Sequence, residues 1–288
     1  MSEWIWIDGA VVPAERATVA ATDRGLLLGE GVFETIALVD GQPFALTRHL
    51  ERLNHSARIV GLTLPWSDDH LRAACAATLA AARAGGDQEA AQSGRLRITI
   101  TGGPGPLTPL PGERRPTLLV TVTTRRAAAA AAAPTAAVTV SPWPVNEHSP
   151  VVGAKTTSRL EYTLALAAAQ RHGADEAVLL NTQGMLAEAT SANVFLVVAG
   201  RLSTPSLATG CLGGVTRSLI TELVDVAERD DLTADDLRLA PEAFLTSTTR
   251  GVQPITSVDG VALRAAPGPL TTAARTALDT LRTATLAP

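Results

Sequence analysis

A single lysine, Lys155, stands in this chain of 288 residues against 23 arginines. Arginine replaces a surface lysine at little cost, yet its pKa is too high for it to shed a proton and attack a carbonyl. A coding preference for arginine and alanine explains why lysine is scarce, but not why one is kept at position 155. Three further features lie downstream of it. Gly210-Cys211-Leu212-Gly213-Gly214-Val215-Thr216-Arg217 is a glycine-rich loop that opens directly into a helix, where free N–H groups and the helix dipole favour an anion. Thr246-Ser247-Thr248-Thr249, followed by Arg250-Gly251, gathers hydroxyls at a strand end. Glu188 stands at a strand end among small residues, in Leu186-Ala187-Glu188-Ala189-Thr190-Ser191. Each has a plainer reading when taken alone: a turn, a polar strand end, a solvated glutamate.

Together the four match the needs of pyridoxal phosphate. Its aldehyde needs one lysine for a Schiff base, its phosphate needs amides and hydroxyls, and its ring nitrogen needs an acid partner. A lysine released by the substrate then serves as general base. Other chemistries lack their signatures. There is no GxxxxGK[ST] loop, no GxGxxG after a strand and no HExxH. His49 and His55 lie six apart, off the spacing for a shared ligand, and no nucleophile elbow is present. No metal site is expected.

The elements that must carry these residues follow from periodicity. Residues 4–7 and 10–12 predict two short strands around Asp8-Gly9, and 32–36 predicts a strand that Asp40-Gly41 turns into the next. Leu50, Leu53, Ala57 and Val60 predict a helix over 47–60, with Thr47 as its cap and Gly61 as its end. A second helix is expected over 67–83, then a mobile loop over 86–94, a strand over 95–101, a long loop over 102–116 and a strand over 117–124. Seven alanines at 127–133 followed by Pro134 mark a seam. Beyond it come a strand at 136–140 and, just after Lys155, a helix with Ser158 and Glu161 as a capping box and Gly173 as its stop. Strands are then expected at 176–181, 185–188, 193–198, 244–248 and 252–258, with a helix over 216–229. The class is α+β, with domains 1–125 and 135–288 joined by a linker at 126–134.

Composition sets the remaining bounds. With 46% apolar and 18% charged residues and a net charge of −4, the chain can bury a large core and lacks the basic face of a nucleic-acid binder. No apolar run reaches the roughly 18 residues of a membrane span. Residues 1–10 do not resemble a secretory signal. Cys75 and Cys211 lack CxxC spacing, so a disulfide framework is not expected and a reducing cytoplasm fits.

These residues resemble the class IV aminotransferases, the fold-type IV pyridoxal-phosphate enzymes. The resemblance runs from Asp23-Arg24-Gly25 and Gly29-Glu30-Gly31-Val32-Phe33-Glu34-Thr35 through His49-Leu50-Glu51-Arg52-Leu53 and Lys155-Thr156-Thr157. It continues with Glu188 to Asn193-Val194-Phe195, Gly214-Val215-Thr216-Arg217, and Thr246 to Thr249 before Pro254-Ile255. It implies a small N-terminal α/β lobe, a larger C-terminal β-barrel-like lobe with helices, and a homodimer with the cofactor between domains. It also implies roles: Lys155 as the Schiff-base lysine, Glu188 on the pyridine nitrogen, and Arg52, Val215, Thr216, Ser247 and Thr248 on the phosphate. Phe33, Thr35 and Arg97 fall where the family contacts substrate.

The family includes D-amino-acid, branched-chain and (R)-amine transaminases and aminodeoxychorismate lyase. Usual D-amino-acid enzymes hold the substrate carboxylate with a tyrosine and an Arg-x-His; here Phe33 and Gly102-Gly103-Pro104 stand instead. Arg97, or Arg114 and Arg115 in the long loop, could replace that trap. Leu160 occupies the place of a branched-chain tyrosine. Lys155-Thr156-x-x-Arg159-Leu160-Glu161 resembles the lyase, which releases pyruvate and 4-aminobenzoate. The expected activity is transamination between D-amino acids, with some reach to (R)-amines, and 2-oxo acids; the lyase is the alternative.

Overall fold

The computed structural model describes residues 4–86, 88–108, 115–123 and 135–288. The chain divides into two compact units. The first comprises Met1–Arg126, Ala154–Ser158 and Thr285–Pro288; the second comprises Ala127–Gly153 and Arg159–Ala284. The linker expected at 126–134 lies outside the described residues. The expected boundaries also change, because Lys155 and its neighbours, and the last four residues, group with the N-terminal unit. The reason is pairing that local periodicity does not encode. Phe33 N–H donates to Lys155 O at 3.0 Å, and Ala45 N–H donates to Leu286 O at 2.8 Å.

In the first unit, β1 (Trp4–Ile7), β2 (Ala10–Pro13), α1 (Arg24–Leu28), β3 (Gly31–Val39), β4 (Gln42–Pro43), α2 (Leu46–Ile59), α3 (Asp68–Ala84), α4 (Gln88–Ser93), β5 (Arg95–Thr101) and β6 (Thr117–Thr123) follow in order. The six strands form one antiparallel sheet in the order β2-β1-β6-β5-β3-β4. Alternation decides its faces. Leu96, Ile98 and Ile100 of β5 and Val32, Ile36 and Leu38 of β3 join Leu50, Leu53 and Ala57 of α2 in the core. The opposite face of the same strands carries Phe33 and Thr35, directly across from Thr99 and Arg97.

Two local expectations fail here. Thr47 does not cap α2; the helix starts one residue earlier, from Ala45 at φ 55°, with no side-chain cap. The stretch expected to be a mobile loop over 86–94 contains α4, which buries Ala90 and Ala91. A run of Gln, Glu and Ala has enough helix propensity for a short helix once two alanines find the core.

The second unit contains β7 (Ala136–Val140), α5 (Leu160–Arg171), β8 (Glu176–Leu180), β9 (Leu186–Ala189), β10 (Asn193–Val198), β11 (Arg201–Pro205), α6 (Val215–Leu223), β12 (Ala227–Arg229), α7 (Ala234–Leu239), β13 (Ala243–Ser247), β14 (Gly251–Val258), β15 (Val261–Ala262) and α8 (Pro269–Ala284). Its strands form a mixed nine-stranded sheet, curled as a half-barrel, in the order β12-β11-β10-β13-β14-β7-β8-β9 with β15 beside β14. The mixed α+β fold agrees with the sequence expectation.

The helix expected over 216–229 is divided: α6 ends at Leu223, Val224 turns extended, and β12 pairs in parallel with β11. The Ser158–Glu161 capping box is also absent. Arg159 is the N-cap of α5 and makes no side-chain cap bond. Ser158 still belongs to the extended segment in which Thr157 N–H bonds Gly31 O, so the helix begins too late to use it. Gly173, at φ 78°, follows the end of α5 as expected.

Candidate active site

Within the first unit, the backbone around Lys155 is built as a short extra strand. Its segment pairs with the N-terminal end of β3 through an antiparallel bridge between Val32 and Thr156. Thr157 N–H bonds Gly31 O at 2.9 Å, and Thr157 Oγ1 donates to Gly29 O at 3.0 Å. The Lys155 N–H itself donates to Ser56 Oγ on α2 at 3.0 Å. With the main chain held this way, Nζ lies 4.6 Å from the centre of the Phe33 ring. The Arg97 guanidinium lies over the same ring at 3.8 Å, and its Nε donates to Thr99 Oγ1 at 3.1 Å. Thus Lys155, Phe33 and Arg97 meet, with Thr35 on the same sheet face as Phe33.

Beside them, Glu34 is the charged residue on the core side of β3 and is fully buried. His49, Arg52 and Ser56 recur at i, i+3 and i+7, so one stripe of α2 faces it. Arg52 donates through Nε to Oε1 and through Nη2 to Oε2, both at 2.7 Å, a side-on bidentate pair. The His49 ring nitrogen Nδ1 lies 2.7 Å from Oε2. Burial alone would raise the Glu34 pKa, but Arg52 and then His49 outweigh it and hold the carboxyl down at about 2. His49 is pushed below its usual value, chiefly by burial. Arg52, read by resemblance as a phosphate ligand, is therefore fixed in orientation by a buried carboxylate rather than waving in solvent.

Within the second unit, Glu188 is buried on β9. Tyr162 O–H of α5 donates to Oε1 at 2.9 Å, and Leu212 N–H donates to Oε2 at 3.0 Å. Leu212 belongs to the glycine-rich loop, whose course is set by Asn193 Nδ2 donating to Leu212 O at 2.8 Å. A Cβ at Gly214 would overlap Asn193 Oδ1, so the loop needs glycine there. Gly214 then starts α6 without a side-chain cap, and Val215 and Thr216 occupy the first helical positions, both buried.

Asn193 stands opposite Thr246 on β13. The Thr246 hydroxyl is buried with no hydrogen-bond partner among the described residues. Ser247 ends that strand, and Thr248 opens the turn after it. Arg250 pins this turn: its N–H donates to Ser247 Oγ at 3.3 Å, and its Nη1 donates to the buried Glu176 at 2.9 Å. A buried carboxylate, uncapped helix amides and an orphaned hydroxyl form a donor set that suits the pyridine nitrogen and phosphate of pyridoxal phosphate.

Several participants escaped the sequence reading. Tyr162 is the only tyrosine in the chain, so the rarity that singled out Lys155 marked it too. Glu34 was legible as a charge on the buried face of an alternating strand. Ser56, Asn193 and Glu176 gave no local signal, since their partners lie far along the chain. Among the described residues, no cluster of three or more His, Cys, Asp or Glu could hold a metal. No described helix is long and apolar enough to cross a membrane.

Comparison with known proteins agrees with this arrangement. Residues 31–258 match the model of the family described as amino-transferase class IV. A Methanocaldococcus jannaschii protein, provisionally named a branched-chain-amino-acid aminotransferase, is 32% identical over 263 residues, covering 89% of this chain and 88% of its own. The D-alanine aminotransferase of Bacillus licheniformis is 28% identical and covers 95% of each chain. Among solved structures, the branched-chain amino acid aminotransferase of Escherichia coli superposes with a TM-score of 0.88 at 28% identity, covering 98% of this chain and 95% of its own. A Legionella pneumophila protein provisionally named 4-amino-4-deoxychorismate lyase reaches 0.80 at 25% identity, covering 93% of this chain and 96% of its own. With the family match spanning most of its length and the lysine, glutamate and glycine-loop motifs in place, the chain belongs to the class IV aminotransferases, a pyridoxal-phosphate-dependent family.

Proposed function

We propose that the chain is a transaminase moving an amino group between D-amino acids and 2-oxo acids, with a secondary reach to (R)-amines. The observation that carries this reading is the shared Phe33 ring. An amine-bearing and a guanidinium-bearing side chain, Lys155 and Arg97, lie against the same aromatic surface. An α-amino acid presents the matching pair, a Cα–N bond to be broken and a carboxylate to be held. Leu160, in place of the tyrosine that branched-chain enzymes carry, and the D-alanine aminotransferase relatives support the D series.

When bound, pyridoxal phosphate supplies the electron sink for breaking a bond at the substrate Cα. Lys155 would hold the cofactor through its aldehyde carbon, and its amine would accept the proton from the substrate Cα. Glu188 holds the proton on the ring nitrogen. The first amides of α6 at Val215 and Thr216, and the hydroxyls of Thr216, Ser247 and Thr248, would hold the phosphate; Arg52 is assigned to the same group by the family resemblance alone. Arg97 binds the carboxylate, while Phe33 and Thr35 line its approach. The same reading makes the protein a cytoplasmic homodimer.

The lyase is the second reading, favoured by Lys155-Thr156-x-x-Arg159-Leu160-Glu161 and by the Legionella neighbour. Against it, Arg159 is engaged in the fold: it donates to Thr190 O and covers the Tyr162 ring at 4.1 Å.

The test is a half-reaction. Mixing holoenzyme with D-alanine converts the cofactor to its amine form, and 2-oxoglutarate reverses the change. Lys155→Ala abolishes both this and borohydride trapping of cofactor on the chain. Arg97→Ala raises KM for amino acids far more than for simple amines. Release of 4-aminobenzoate from aminodeoxychorismate, with no D-alanine half-reaction, overturns transamination.

A further inference from the structure

The two oxygens of Glu188 are held from two different elements, α5 through Tyr162 and the glycine-rich loop through Leu212. A glutamate side chain has three rotatable bonds, and one donor per oxygen fixes the plane of its carboxylate as well as its location. The donor on α5 is itself held. The Arg159 guanidinium lies 4.1 Å from the Tyr162 ring centre, and Arg159 also donates to Thr190 O, just beyond the end of β9. Burial first, and then the nearby Glu188 charge, raise the Tyr162 pKa far above its usual value. Its hydroxyl therefore stays protonated and remains a donor at any working pH. Arg159 and Glu161 are the other charges acting on Tyr162, while Arg217 and Glu228 act on Cys211 of the adjoining loop together with Glu188.

We propose that Tyr162 is a positioning residue whose hydroxyl fixes the orientation of the Glu188 carboxylate toward the cofactor ring nitrogen, an assignment that rests on the role given to Glu188 above. The ring of Tyr162 packs against Val145, Ala165 and their neighbours, as a phenylalanine would. The hydroxyl is what distinguishes positioning from packing.

Tyr162→Phe keeps the ring and removes only that donor. In the apoprotein, 13C-labelled glutamate should show Glu188 titrating at higher pH in Tyr162→Phe than in wild type, because a hydrogen bond to the charged form is gone. In the holoenzyme, kcat should fall roughly tenfold while KM for the amino donor stays within about twofold. On a Glu188→Ala background the same substitution should add no more than about twofold. Because the chain has one tyrosine, 3-fluorotyrosine labels this position alone, and its 19F resonance should move in Glu188→Ala without any change at Tyr162 itself. A silent Tyr162→Phe, a 19F signal indifferent to Glu188, or an undiminished loss in the Glu188→Ala background overturns the proposal. If Lys155 is trapped by borohydride yet Glu188→Ala turns over like wild type, the role of Glu188 has failed, and the positioning role fails with it.

Discussion

Two buried glutamates, one in each unit, accept hydrogen bonds from different kinds of donor. Glu34 on β3 faces a bidentate arginine and a histidine, and opposite charge outweighs burial to keep it ionised. Glu188 on β9 is gripped by a phenol and a backbone amide, donors that carry no net charge. A carboxylate paired with a cation is a finished interaction whose desolvation cost is already offset; disturbing it exposes buried charge. The phenol and the amide orient the Glu188 carboxylate, which the proposed function sets against a protonated ring nitrogen. On that proposal the same side chain serves as architecture in one unit and as chemistry in the other.

The sharpest way to break this contrast is to exchange the two phenotypes. Glu34→Ala should cost about 3–5 kcal/mol of stability in urea unfolding, since Arg52 and His49 are left facing a vacated site. Glu188→Gln should cost under about 1 kcal/mol in the same assay, yet slow turnover on the order of 100-fold. Equal stability losses would erase the distinction.

Acid should discriminate next. The Glu34 pKa is depressed from 4.5 to about 2 in the folded state, so its stabilisation is complete above pH 4.5 and is lost as pH falls toward 2. The loss amounts to roughly 3 kcal/mol. His49, also depressed, adds to it, because the unfolded chain takes up that proton first as pH falls below 6.5. Denaturant titrations between pH 7 and 3 should show this slope in wild type and Glu188→Gln, and a flatter one in Glu34→Gln. The smallest effect concerns the hydroxyl that receives the Lys155 amide. Ser56→Ala should cost about 1 kcal/mol and accelerate hydrogen exchange at that amide, leaving Glu188 untouched. An exchange rate equal to wild type would remove Ser56 from the support of Lys155.

Much of the molecule was legible because its signals are local. Alternation in 95–101 and 117–123 places the central strands of the first sheet, and the glycine-rich loop opens into α6 where expected. Scarcity drew attention to Lys155, and Glu188 became a candidate only in combination with the lysine, the glycine-rich loop and the hydroxyl cluster. What stayed hidden depends on distant partners. Nothing in Val32 announces that it bridges Thr156, so the grouping of Lys155 with the first unit has no local signal. The capping box at Ser158 failed for the same reason, since the preceding Thr156 and Thr157 pair with the start of β3 and the helix begins only at Leu160. Tyr162 lies in the first turn of α5, and its hydrogen bond to a strand 26 residues on has no sequence period to betray it.

The sheet-like clasp on either side of Lys155 has a mechanical consequence. With Gly31 and Phe33 of β3 and Ser56 of α2 bonded to the main chain at residues 155–157, the anchorage of Lys155 is tied to two elements of the same unit. All travel of the reactive nitrogen must come from torsions along four methylenes, a lever swinging from a fixed fulcrum.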